Sequence, residues 1–309
     1  MSAGMTIGAA EYQATLRNQI ARFMGACSLE ATRPTHAELD ALASVLRPGV
    51  SVYLTAIPGR PLEELIAPAV RLRQLGLVPV PHVSARLLPD VRALDSFLSR
   101  VAHEAQVDHV LLVGGDRARP VGSVHDALQV IESGVFSRNG VSKVGVPGFP
   151  DGHPVLSADE IEASLLSKLA SLQRQGVEGE IVTQFSFDDK PLIDWLGWLR
   201  ARGVHAPVRI GLAGPTTLMT WLSYARRCGV KASAGALASR SGLVKHAFKA
   251  VAPDPIISKL AGSPLFSAQA GVRPHLFAFG GLIETAKWLR AAADGDFRIT
   301  SDGFEPSLT

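Results

Sequence analysis

Several polar residues in this sequence stand where a short apolar run gives way to a loop, and their types are those that move protons or hold ligands. Glu30 does so in CSLEATRP, His82 in VPVPHVS, Asp116 in VLLVGGDRARPVG and Gln184 in GEIVTQFSFD. A carboxyl such as Glu30, partly desolvated at a strand end, can hold or donate a proton near neutral pH, because burial disfavours the ionised form. A salt bridge from Glu30 to Arg33 or another rim cation is an equal reading of the same residues. Gly114 and Gly115 would let backbone approach a ligand closely, with Asp116 at the edge; a lone aspartate in such a loop more often caps a turn. Ile181 and Val182 suit a sheet interior, whereas Thr183 and Gln184 do not. A parallel strand covered on both faces stays apolar, so its polar end is where the sheet meets a ligand, unless the amide merely satisfies loop backbone. His82, and His153 in GFPDGHP, read as structural or turn histidines, since no second histidine or carboxylate stands at ligand spacing. No metal site, GxSxG nucleophile, Walker loop or dinucleotide fingerprint is visible.

The elements that must position these residues show in a recurrent Gly-Val pair, at Gly140, Gly176, Gly203, Gly229 and Gly271, each glycine following an amphipathic stretch. Glycine just past a helix takes the left-handed conformation that ends it, and the valine leads into the next strand. Strands are expected near Ala26–Glu30, Val50–Thr55, Val78–Val83, His109–Val113, Lys143–Pro147, Glu180–Gln184, Val208–Leu212 and His275–Phe279. Helices are expected over Tyr12–Met24, Thr35–Leu46, Leu62–Leu75, Val91–Ala105, Val124–Ser133, Ala158–Gln175, Leu192–Arg202, Thr216–Cys228 and Glu284–Ala293. This alternation predicts an α/β chain forming a (β/α)8 TIM barrel, with an open doubly wound sheet as the alternative. It is read as one domain over residues 1–309, with an N-terminal helical extension over 1–25 and extra helices in 230–262 before the eighth strand. On this reading Glu30, Thr55, His82, Asp116, Phe149 to His153, Gln184 and Gly214-Pro215 follow successive strands and share the carboxyl face of the barrel.

The totals agree. The 309 residues are 47% hydrophobic and 19% charged, which gives ample core and argues against disorder. A net charge of +3 from scattered Lys and Arg suits an anionic small ligand and does not indicate nucleic acid. The two cysteines, Cys27 and Cys228, stand far apart, which fits a reduced, cytoplasmic setting. No apolar run approaches the roughly 18 residues of a membrane span, and no secretory leader is visible.

The segments SLEATRP, VPVPHVS, VLLVGGDRARPVG and IVTQFSFD, in this order between about Cys27 and Cys228, together resemble the methylenetetrahydrofolate reductase family. The resemblance implies a (β/α)8 barrel that holds FAD at its carboxyl face. NADH or NADPH reduces the flavin, which interconverts 5,10-methylenetetrahydrofolate and 5-methyltetrahydrofolate by hydride transfer. By position it implies Glu30 as general acid, its pKa raised by burial, and Asp116 near pterin and flavin. It places Gln184 and Leu218 against folate, and Thr55, His82, Gly115, Phe149, His153 and Lys168 around the flavin. The sequence departs from the family at Gly114, where an arginine is usual, and at Ala170, Ser171 and Leu172, where a basic pair is usual. Leu218 replaces an aromatic residue, and HLFAFGG lacks a polar ending. Lys168, Arg117 and Arg119 are the cations at hand. Direct hydride transfer from a nicotinamide to folate, without flavin, is one alternative; a non-redox folate-binding or methyl-carrier protein is another. Tetrahydrofolate derivatives, polyglutamylated ones included, and a homo-oligomeric partner complete the expectations.

Overall fold

In the computed structural model, residues 9–115, 117–228, 250–266, 271–279 and 281–308 are described. Eight parallel strands close into a barrel: β1 (Ser28–Ala31), β2 (Ser51–Leu54), β3 (Val78–Ser84), β4 (His109–Val113), β5 (Lys143–Gly148), β6 (Glu178–Thr183), β7 (Val208–Ala213) and, after two short strands outside the barrel, β10 (Val272–Phe277). Neighbours pair in chain order, and β10 returns to β1 to close the ring. The chain is thus a (β/α)8 barrel.

The helices are α1 (Ala9–Met24), α2 (His36–Val45), α3 (Ile66–Gln74), α4 (Val91–Ala105), α5 (Ala127–Glu132), α6 (Val135–Arg138), α7 (Ala158–Arg174), α8 (Asp189–Ala201) and α9 (Leu218–Cys228), then α10 (Asp254–Ala261) and α11 (Leu282–Asp294). Their starts are written in the sequence: Thr35 with Glu38 and Ser157 with Glu160 form capping boxes, and Asp90, Asp126 and Asp188 each accept a backbone N–H as N-caps. Of the Gly-Val glycines, Gly140, Gly176, Gly203 and Gly271 have φ between 67° and 73°, the left-handed turn that side chains resist; Gly229 lies outside the described residues.

Three details differ from the pattern expected of the sequence. The helix expected over 124–133 is shorter, with a separate turn of helix at 135–138. Thr216 and Thr217 are not helical but form a strand, β8, antiparallel to β9 (Ala250–Val251). A hairpin of β11 (Phe297–Ile299) and β12 (Phe304–Pro306) follows α11, its Phe304 ring packed against Trp288 and Phe297. Of the helices expected before the eighth strand, α10 and a turn at Pro264–Phe266 are described.

Strand residues alternate between a helix-facing and an axis-facing side. Leu29, Ala31, Val52 and Leu54 pack into the large core beneath the helices, whereas Tyr53, Val80, Leu111 and Val182 form a separate apolar cluster inside the barrel. Among the described residues no helix is long and apolar enough to cross a membrane.

Candidate functional site

The barrel interior carries charge. Glu180, fully buried on β6, accepts hydrogen bonds from the Tyr53 hydroxyl at 2.8 Å and from Arg209 Nε at 3.0 Å, and His109 Nε2 lies 3.3 Å away. Burial pushes the Glu180 carboxyl up, but His109, Arg209 and Tyr53 outweigh it and hold the group well below the usual carboxylate range. The Tyr53 ring meets His82, His109 and His275 edge to face, at centroid distances of 6.0, 5.8 and 4.6 Å. It therefore separates the Glu180 cluster from a second one nearer the carboxyl mouth.

That second cluster is Glu30 with two imidazoles. Glu30 Oε2 lies 3.6 Å from His82 Nε2 and 3.7 Å from His275 Nε2, ion-pair rather than hydrogen-bond distances. Ser28 Oγ and His275 Nδ1 share a hydrogen bond of 2.8 Å that fixes the second ring. Two expectations for Glu30 are corrected. Its neighbours are these histidines rather than Arg33, which is exposed. Its pKa is also lowered rather than raised: burial pushes it up, but His275, His82 and Thr55 together pull it below its ordinary value. Both histidines are themselves shifted down, chiefly by burial. At neutral pH the arrangement is thus a carboxylate between two neutral imidazoles, a hydrogen-bond acceptor at the strand end.

Beside this carboxylate stand aromatic rings. Glu30 is in register with Phe277 on the adjacent β10. Phe277 stacks on Phe279 at 5.7 Å, and Phe279 on Tyr224 of α9 at 3.9 Å and 13°, with Phe185 edge-on to both phenylalanines. The apolar ending of the last strand is therefore an aromatic wall, built by three elements that converge only in the barrel. Gln184 stands beside it, past the end of β6. Its Oε1 accepts the backbone N–H of Phe185 at 3.1 Å, so half of the amide does satisfy the loop, while its NH2 donates to no described residue. Asp151, after β5, has a buried Oδ2 without a partner, and burial raises its pKa. To the side, between the ends of β1, β2 and β3, a cavity of about 510 Å³ is lined by Thr55, Ile57, Arg33 and Arg60 among others.

The residues assigned by resemblance to a flavin are dispersed among other tasks. Thr55 joins the ends of β1 and β2, its Oγ1 3.0 Å from that of Thr32 and its N–H donated to Ala31. His82 is turned into the barrel against Glu30. Phe149 and His153 pack edge to face, and His153 Nδ1 accepts the N–H groups of Val155 and Leu156, the turn role. Gly115 has φ 91°, and a Cβ there would come within 2.3 Å of Ser84 Oγ. Asp116 lies outside the described residues. Arg86, beside this loop, spends its guanidinium on the carbonyls of His125 and Arg117, and Lys168 on α7 is partly buried with Asp126 as its nearby opposite charge. Of the cations expected near a flavin diphosphate, Lys168 is thus partly buried beside Asp126, and Arg117 and Arg119 are exposed. Leu218 is buried at the first position of α9, outside the ring cluster. Among the described residues no three His, Cys, Asp or Glu side chains are grouped to hold a metal, and Cys27 is a buried free thiol whose pKa burial pushes up.

His275, Tyr53, Glu180 and Arg209 are the site residues that the sequence did not reveal, while Asp151 falls within the expected Phe149 to His153 stretch without having been singled out. The signal was present in part: charged or aromatic-polar residues at every second position of an otherwise apolar parallel strand have no solvent to face.

No protein-family model matches the chain. Among solved structures it is similar to an uncharacterized protein from Clostridium thermocellum that binds two copies of 5-methyl-5,6,7,8-tetrahydrofolic acid. Identity is 13% and the TM-score 0.57, over 90% of this chain and 98% of that one. That likeness shows the fold. Lower-scoring matches are the dihydropteroate synthase of Thermus thermophilus, at 14% identity and TM-score 0.45 over 87% of this chain and 92% of that one, and a Yersinia pestis DHPS with a pterine-sulfa conjugate. The latter shares 10% identity at TM-score 0.45, over 88% and 95% of the two chains.

Proposed function

We propose that the carboxyl mouth of this barrel binds a reduced folate, of the 5-methyltetrahydrofolate kind, with Glu30 as the group that accepts a hydrogen bond from the pterin. The observation that carries this reading is the register of Glu30 with Phe277: a half-buried carboxylate stands beside an aromatic wall, which suits a flat heterocycle with a polar N–H edge. The free NH2 of Gln184 and the unpaired Oδ2 of Asp151 add a donor and an acceptor at the same end. The Clostridium thermocellum protein, of the same fold, binds a molecule of this class.

A second reading is favoured by the two imidazoles around Glu30, which a simple carrier does not need. Here a nicotinamide, NADH or NADPH, passes hydride to the methylene carbon of a folate iminium, the nicotinamide being oxidised and the carbon reduced to methyl. Opening the folate ring to that iminium breaks the bond to the anilino nitrogen, which takes up one proton from solvent, and the Glu30–His82–His275 group would relay it. Flavin-mediated transfer has no part in this reading, in which the nicotinamide is the direct hydride donor.

Calorimetric titration with 5-methyltetrahydrofolate tests the first reading, with wild type and Glu30→Gln compared. Saturable binding that the substitution weakens supports it; no binding to the wild type sinks it. Nicotinamide oxidation with methylenetetrahydrofolate, followed alongside the visible spectrum, then separates carrier from reductase and would reveal a flavin.

A further inference from the structure

At the amino end of the barrel, opposite Glu30, lies a cavity of about 280 Å³ between the start of the chain's first strands and the first residues of β7 and β10. Four arginines line it, Arg47, Arg209, Arg273 and Arg290, and no described acidic residue does. Outside the lining, Asp294 accepts hydrogen bonds from Arg47 and Arg290, and Glu180 accepts one from Arg209. Four guanidinium groups against two carboxylates leave two positive charges uncompensated.

Two of those arginines are forced together. Arg209 and Arg273 are register partners on the adjacent parallel strands β7 and β10, an arrangement in which like charges repel. Arg209 is only 5% exposed. Its Nε is held by Glu180, the Tyr53 hydroxyl also lies within hydrogen-bond reach of the guanidinium, and the residue lines the cavity. Arg273 has no described acidic partner. A buried arginine and its register neighbour Arg273 at the wall of one cavity, with no described carboxylate in the lining, form a cationic pocket suited to an anion.

We propose that this cavity binds a small dianion of phosphate-ester or dicarboxylate chemistry, held in the forks of Arg209 and Arg273. The proposal is independent of the folate reading, since it concerns the opposite end of the barrel.

The test titrates the full chain with inorganic phosphate and, separately, with malonate, in a low-salt amine buffer, and reads heat and melting temperature. Binding of phosphate alone, of malonate alone or of both supports the site and identifies its chemistry. Arg273→Gln should weaken that binding about tenfold or more, one guanidinium–oxyanion contact being worth roughly 1.4 kcal/mol or above. Because it removes a like-charge neighbour, it should leave the unliganded protein at least as stable. Arg47→Gln, at the exposed rim, provides a second variant with the same direction of effect, and Arg100→Gln, outside this cavity and paired with Glu104, should change nothing. Failure of both anions to bind, or equal affinity in wild type and both cavity variants, would overturn the proposal.

Discussion

Glu30 Oε2 stands 3.7 Å from Nε2 of His275, a residue 245 positions later in the chain (275 − 30) on the strand that closes the barrel. With His82 on the other side at 3.6 Å, the carboxylate is enclosed by two rings that burial keeps neutral. Their shared electrostatics govern how the protein responds to acid.

Stability should fall in two stages as pH drops. His82 and His275 titrate lower in the folded than in the unfolded chain, so the unfolded state takes up protons first once pH falls below about 6.5. Glu30 and Glu180 are also lowered, so their contribution is present above about 4.5 and is lost as pH falls through their folded values. Calorimetric melting temperatures should be level above neutrality and decline below each point. A melting temperature unchanged between about pH 7 and 5 would contradict the buried imidazoles.

Replacing His275 by phenylalanine removes one imidazole while keeping a ring of similar breadth. Burial of Glu30 remains, so its titration should move upward, read from the side-chain carboxyl carbon resonance against pH. The same variant frees Ser28 Oγ from its hydrogen bond.

The Glu180 cluster is a stability element. Arg209→Met leaves a fully buried carboxylate without its cation and should cost about 3–5 kcal/mol, whereas Tyr53→Phe removes one hydrogen bond to that carboxylate and should cost about 1–3 kcal/mol. Urea unfolding at neutral pH measures both; equal, negligible losses would mean that the cluster is wetter than its burial implies.

At the mouth, Phe279→Ala removes the ring stacked on Tyr224 and should weaken 5-methyltetrahydrofolate binding by about tenfold, a stacked aromatic pair being worth roughly 0.5–1.5 kcal/mol beyond its buried area. Asp151→Asn tests the acceptor at the end of β5. If it contacts the pterin N–H edge, affinity drops while the melting temperature holds, and an unchanged affinity removes Asp151 from the site.

Gly115→Ala is expected to destabilise the loop after β4, because φ 91° resists a side chain and the new Cβ would sit 2.3 Å from Ser84 Oγ. Adding Ser84→Ala should recover only part of the loss, since the backbone conformation remains strained. Thermal unfolding of single and double variants separates the two contributions.

Much of the scaffold was legible without coordinates. His109–Val113 and Val91–Ala105 begin and end where the sequence pattern places them, and the Gly-Val pairs at Gly140, Gly176 and Gly203 mark helix ends because φ near 70° is a local demand that glycine meets. The polar strand ends that include Glu30 and Gln184 were visible for the same reason: a two-residue alternation or a cap depends on near neighbours. Tertiary structure alone decided what those residues face. Ser28 meets His275 across 247 positions, Glu180 meets Arg209, and Arg209 lies beside Arg273, each contact created by strand pairing around the ring. Such pairing also reversed the direction of the Glu30 pKa, because burial raises a carboxyl that stands alone and closure of the barrel supplied two imidazoles.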